Sequence, residues 1–199
     1  MVWYKAGNGT VSGTASIVTT STMSDSNKSL FCISHLINQT GVASSSNVRL
    51  NNDSSGTDGS SGNYATRVNI NGAASDNIQV NQTEHNNGAG TALGRIQVDY
   101  IANVSGQEKL IITHGSGNDV AGANYTVFRY DLTGKWDQTA LVTKVENVTS
   151  GSGVWQNDTN LTVLGSGGTE SMAVQDGAVY YDKQLNKEYV LNNNTWTEL

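Results

Sequence analysis

Apolar and polar residues alternate along much of this chain. In Ile96, Val98 and Tyr100, in Tyr125 and Val127 (with Phe128 and Tyr130 after them), and in Leu141, Thr143 and Val145 the apolar or β-favouring residues fall at every second position. That period is the repeat of a strand with one face buried. The densest such stretch runs from Arg95 to Gly165, four or five short apolar segments punctuated by glycine and asparagine. It predicts strands at 94–103 and 108–114 joined through Val104, Ser105 and Gly106, a strand at 123–130, a turn at Asp131, Leu132, Thr133 and Gly134 before Trp136, and strands at 140–148 and 160–164. Upstream, 15–22, 48–50, 64–70 and 77–82 read as strands, and 29–37 (SLFCISHLI) is apolar enough to predict a central strand with no wet face. The polar stretches around 51–62 and 84–94 predict surface loops.

Ten or so strands with short connections favour an all-β fold, an antiparallel β-sandwich of jelly-roll or immunoglobulin-like kind, with a closed barrel left open because periodicity does not distinguish the two. The run GSGG at 165–168 reads as a joint. The expected organisation is an aromatic-led arm at 1–14, a sandwich at 15–168 and a small β-hairpin annex at 169–199, with strands at 179–182, 188–191 and 195–199. A single helical turn is possible at 170–175, and no proline interrupts any strand. Trp3 and Tyr4 in the arm, and Tyr180, Tyr181, Tyr189 and Trp196 in the annex, are the candidate assembly contacts, because small pieces led by large rings need something to pack on. Trp196 is also the expected plug of the annex.

Composition narrows the partners. Formal charge is −6, charged residues are 14% of the chain, and Asn, Ser and Thr together number 65, so neutral amides and hydroxyls carry the polarity. Without a basic run, a nucleic-acid partner is not expected. Nor is a membrane, since no stretch approaches the length of a bilayer-spanning segment. The opening MVWYKAGNGTVSG lacks a secretory apolar core, so the expectation is that the chain reaches an exterior surface as part of an assembly. The one cysteine, Cys32, reads as a buried small hydrophobe. Asn-x-Ser/Thr triplets at Asn38, Asn81, Asn103, Asn124, Asn147 and Asn160 follow from composition.

Candidate chemistry is sparse. His35 reads as a core or half-buried histidine; His85 and His114 lie far from it in sequence, and the three have no metal-ligand spacing. Asp53, Asp58 and Asp76 sit in or beside Gly/Asn/Ser-rich loops where Ca²⁺ could be held, but without the ladder of a calcium loop they read as solvated turn residues. Asp99, Asp131 and Glu146 are carboxylates with no spacing that picks out a catalytic pair. Gly115-Ser116-Gly117 lacks the strand-to-helix context of a nucleophile elbow. No cofactor is expected. Tyr64, Trp136 and Trp155 are the rings that a sugar-binding loop surface would present, against the favoured alternative that the tryptophans pack under the sandwich.

The runs RIQVDYIANVSGQEKLIITHG and TALVTKVENVTSGSGVWQNDTNLTVLG resemble the β-sandwich domains of structural proteins of tailed bacteriophage virions, and AVYYDKQLNKEYVLNNNTWTEL is similar to a small hairpin of phage fibre and virion-surface proteins. The resemblance covers roughly 94–165, more weakly 29–80, and the tail. It implies a non-enzymatic protein on the virion surface, trimeric or otherwise multivalent, with the major capsid protein or other virion proteins as partners. Lacking a collagen-like or coiled-coil shaft, the chain fits a capsid decoration protein better than a tail-fibre or head-fibre module that recognises host glycans.

Overall fold

A computed structural model describes residues 3–24, 27–38, 45–54, 63–70, 73–79, 83, 94–118, 127–150, 153–166, 179–182, 187–192 and 195–198. The chain divides into two compact units, Met1–Gly167 and Gly168–Leu199. No described residue is helical. The helical turn expected at 170–175 lies outside the described residues.

Among the described residues the first unit carries eleven strands: β1 (Trp3–Thr10), β2 (Ile17–Thr19), β3 (Ser29–Ile37), β4 (Ser45–Leu50), β5 (Tyr64–Ile70), β6 (Ala73–Gln79), β7 (Gly94–Ala102), β8 (Lys109–Asn118), β9 (Phe128–Trp136), β10 (Val145–Ser150) and β11 (Asn160–Ser166). Eight form one antiparallel sheet in the order β1-β11-β3-β7-β8-β9-β5-β6, and three form a second in the order β2-β10-β4. The expected all-β antiparallel sandwich is the fold. Between the sheets Leu30, Cys32, Leu36, Ile101, Ile111, Leu161 and Val163 meet Val18, Val48, Leu50 and Val145, with Tyr64, Trp136 and Trp155 in the same cluster. The second unit is a three-stranded meander of β12 (Val179–Asp182), β13 (Lys187–Asn192) and β14 (Thr195–Glu198).

Residues 1–14 are not a separate arm. β1 is the edge strand of the large sheet, paired with β11 from Trp3 opposite Ser166 to Thr10 opposite Asn160, with one irregularity between Lys5 and Gly7. Backbone hydrogen bonding of seven register pairs outweighs the turn tendency of the glycines.

Three further expectations are corrected. β3 alternates after all: Leu30, Cys32, Ser34 and Leu36 are buried, while Ile33 and His35 lie on an exposed face. His35 is therefore a surface residue. The Asp131 to Gly134 segment is not a turn but the middle of β9, where pairing to both β8 and β5 overrides local turn chemistry. The inward series Phe128, Tyr130, Leu132, Gly134, Trp136 keeps its period throughout. β8 likewise continues through Gly115-Ser116-Gly117, because a side chain at 115 would collide with the Tyr130 ring that lies across it.

β10 starts only at Val145, not at 140. The preceding segment has its backbone satisfied by two asparagine side chains in place of a ladder. Asn103 Oδ1 accepts from the Val142 N–H at 2.7 Å, and Asn51 Oδ1 accepts from Thr143 and Lys144 N–H at 2.8 and 3.1 Å. Asn51 holds φ 54°, a left-handed conformation that asparagine tolerates.

Candidate interaction face

β7 reads GRIQVDYIA, and its burial runs opposite to what its hydrophobicity suggests. Arg95, Gln97, Asp99 and Ile101 face the interior; Ile96 and Tyr100 are exposed and Val98 is half-buried. A one-residue slip would exchange the two sets. The observed register is fixed by pairing to β3 on one side and β8 on the other, Cys32 opposite Asp99 and Asp99 opposite Thr113.

Gln97 and Asp99 are held by one another and by their neighbours. Gln97 Nε2 donates to both Asp99 carboxylate oxygens at 3.0 Å, Thr113 Oγ1 donates to Asp99 Oδ1 at 2.7 Å, and Ser46 and Tyr130 hydroxyls donate to Gln97 Oε1 at 2.5 and 3.0 Å. Across the sandwich, Asn147 Nδ2 donates to Ser34 Oγ at 2.6 Å. The Arg95 guanidinium lies 5.7 Å from the Phe128 ring centroid. Burial pushes the Asp99 carboxyl up to about 6, against the opposing pull of the Thr113 and Gln97 hydrogen bonds, and burial with the neighbouring Asp99 charge pushes the Cys32 thiol well up. This network is buried and joins the sheets.

The outward side is the opposite kind of surface. Register places Leu164, Phe31, Tyr100 and Ile112 in one row across β11, β3, β7 and β8, and Thr162, Ile33, Val98 and His114 in the next. Phe31 and Tyr100 pack tilted at 4.6 Å between ring centroids, and Trp3 meets the edge of Phe31 at 6.2 Å. Ile33, Ile96, Tyr100, Leu110 and Ile112 are between 40% and 61% exposed. At about 200 Å² for a large apolar side chain, these five alone present roughly 500 Å², at the upper end of what a monomer's largest patch reaches. At one end, His35, Arg95, Ile96, Ser116, Gly117 and Val127 surround an open depression of about 280 Å³.

Charges on the flank of this face are paired with one another. Lys135 reaches Glu108 at 2.9 Å, Arg129 reaches Asp131 at 3.2 Å, and His114 Nδ1 lies 2.5 Å from Asp131 Oδ1. The His114 contact, with Arg129 beside it, holds the Asp131 carboxyl below its usual range.

The candidate residues distribute as follows. Trp3 stands on the outer apolar face. Tyr4 points the other way, its hydroxyl donating to Asn27 Oδ1 at 2.5 Å. Tyr189 is half-buried in the second unit, whereas the side chains of Tyr180, Tyr181 and Trp196 lie outside the described residues. Tyr64, Trp136 and Trp155 are buried, which corrects the idea of a ring-bearing loop surface. Each ring is held from within: Trp136 Nε1 donates to Asp53 at 2.8 Å and stacks on Tyr64, the Leu50 N–H donates to Tyr64 Oη, and Trp155 Nε1 donates to the Asn147 carbonyl at 3.1 Å.

Asp53 thus serves Trp136 and Asn63 instead of standing as a solvated turn carboxylate, while Asp58, His85 and the side chain of Asp76 lie outside the described residues. Asp99 faces inward and Asp131 outward on one sheet, and Glu146 lies 3.8 Å from Arg49 in the other, so the three share no cleft. Among the described residues no group of three or more His, Cys, Asp or Glu could hold a metal ion. Asn38, Asn103 and Asn147 of the Asn-x-Ser/Thr triplets are buried. The outer face was missed in the sequence because the apolar side of β7 reads as the core side. Comparison with protein families, with curated proteins and with solved structures gives no match.

Proposed function

We propose that this chain is a non-enzymatic structural subunit that works through surface contacts in an assembly, and that the assembly is a virion, with the chain on its exterior as a capsid decoration or cement protein. The observation that carries this reading is the outer face of the large sheet, where Ile96, Val98 and Tyr100 are turned to the outside while Arg95, Gln97 and Asp99 occupy the core. Leaving roughly 500 Å² of apolar surface wet forgoes on the order of 10 kcal/mol of transfer free energy, a cost that assembly offsets. Repetition on a symmetric shell lets each contact be modest. Partners in this reading are other virion proteins, the major capsid protein first. The receptor-module alternative relied on Tyr64, Trp136 and Trp155 as exposed rings, and with those rings buried it has no observation in its favour.

The test is co-sedimentation of the full chain with purified tailed-phage capsids stripped of their decoration. The wild-type chain pellets with the particles. A double variant, Ile33→Asp with Tyr100→Glu, stays in the supernatant with an unchanged far-ultraviolet dichroism spectrum. Equal pelleting of folded variant and wild type would end this assignment of the face. Deleting residues 1–14 is a poor test, because it removes a strand of the sheet.

A further inference from the structure

We infer that the outer face of the large sheet is covered by a second copy of the same face, the two copies related by a twofold axis lying between them and perpendicular to the strands. This rests on the reading of that face as an assembly surface and names its occupant, so that the pair is the unit that meets the capsid and loss of pelleting in Ile33→Asp with Tyr100→Glu follows from loss of the pair.

Three observations point to a second copy. The first is area. The five exposed apolar side chains contribute roughly 500 Å², and the half-buried Trp3, Phe31, Val98 and Leu164 with the polar rim of His35 and Thr133 bring the face towards the roughly 800 Å² per partner of a stable interface. The second is charge. Lys5 stands at the edge of the Leu164 row, and the flanking carboxylates Glu108 and Asp131 are already paired with Lys135, Arg129 and His114, so the apolar centre of the face demands no complementary charge from its occupant, and the same apolar centre on a second copy meets that condition.

The third is shape. Leu110 projects at one end of β8, 58% exposed, while the depression beside Ile96, Ser116 and Val127 opens at the other end of the same strand pair. Six residues of strand separate Leu110 from Ser116, roughly 20 Å. A twofold axis crossing the strands between these ends exchanges them, so that each Leu110 enters the other copy's depression and the row of Phe31 and Tyr100 lies over the row of Ile33 and Val98. Such an interface is isologous, residue i meeting j and j meeting i. Facing sheets in this arrangement stack about 10 Å apart, as in a sandwich. The building block is then a pair, in place of the trimer that the phage resemblance implies.

The experiment is sedimentation velocity of the full chain across a dilution series, with a cross-linking arm. The wild-type chain is expected to run at twice the 21.1 kDa of one chain and to dissociate on dilution. Leu110→Glu is expected to weaken self-association at least about a hundredfold, the size of an interface hot-spot loss, with unchanged dichroism and thermal midpoint. A mixture of Leu110→Cys and Ser116→Cys chains is expected to form a disulfide-linked dimer on oxidation that neither variant forms alone. A wild-type chain that stays monomeric at about 100 μM, where even a weak specific pair would form, overturns the inference. So does a dimer indifferent to Leu110→Glu, or one that gives no mixed disulfide. If the chain alone is monomeric yet Ile33→Asp with Tyr100→Glu still abolishes capsid pelleting, the pairing fails and the assembly reading stands. A dimer that never pellets with capsids has the opposite meaning.

Discussion

The two sides of β7 differ more than the inside and outside of an ordinary strand, and in the reverse sense. Inward, Arg95, Gln97 and Asp99 are held by side-chain partners; outward, Ile96, Val98 and Tyr100 meet solvent. A hydrophobic-in register would gain transfer free energy in the isolated unit. The observed one instead joins two sheets through a polar network whose members must all be satisfied together. The contrast teaches that hydrogen-bond geometry organises the inner side of this sheet while apolar area is left on its outer side.

The largest blow to the inner side is Trp136→Ala. It removes a ring stacked on Tyr64 at 6.4 Å and leaves Asp53 without its indole donor. The expected loss is about 3–5 kcal/mol, read from urea unfolding, and a loss under about 1 kcal/mol would deny that this ring belongs to the core.

Next in size is the pH response of Asp99. Its carboxyl titrates at about 6 in the folded chain, against about 3.9 unfolded. The folded state therefore holds the proton more tightly, and this group's contribution to stability is greatest below pH 4. It falls as pH rises from about 4 to about 6, by up to about 3 kcal/mol in all. Unfolding free energies of wild type and Asp99→Asn, compared from pH 4 to 7, should diverge over that window, wild type losing ground as pH rises. A difference independent of pH would place the carboxylate in water.

Smallest is the effect on folding of polar changes outside. Ile96→Thr and Ile112→Thr, both exposed and both at strand positions that threonine suits, should each change the monomer's stability by less than about 1 kcal/mol at concentrations too low for association. A larger loss would mean that the outer face is covered within the chain itself.

Much of the fold was legible. β3, β5 and β12 begin and end where a continuous apolar run, alternation and turn residues respectively put them, because those runs have no internal glycine to blur them. Alternation fixes a period and leaves its sign open, so nothing in GRIQVDYIA alone says that Asp99 is the buried partner of Thr113 and Gln97. Glycines misled in the same way. Gly134 read as a turn residue and the strand before Gly115 read as ending there, yet Gly115 lies under the Tyr130 ring of the next strand, which only the pairing reveals. Trp136 and Trp155 stood in Gly/Asp-rich surroundings that suggested loops. Their burial depends on Asp53 and on the Asn147 carbonyl, each distant or unremarkable in sequence. The candidate face was visible only as apolar residues assigned to the wrong side.

Trp3 lies beside Ser166, so β1 finds its neighbour only after nearly all of the chain between them has been made. Until then β1 and the Trp3 ring have no place to settle, and loop closure over that span is slow. A chain stopped short of β11 therefore lacks the partner that seats β1 at the edge of the large sheet.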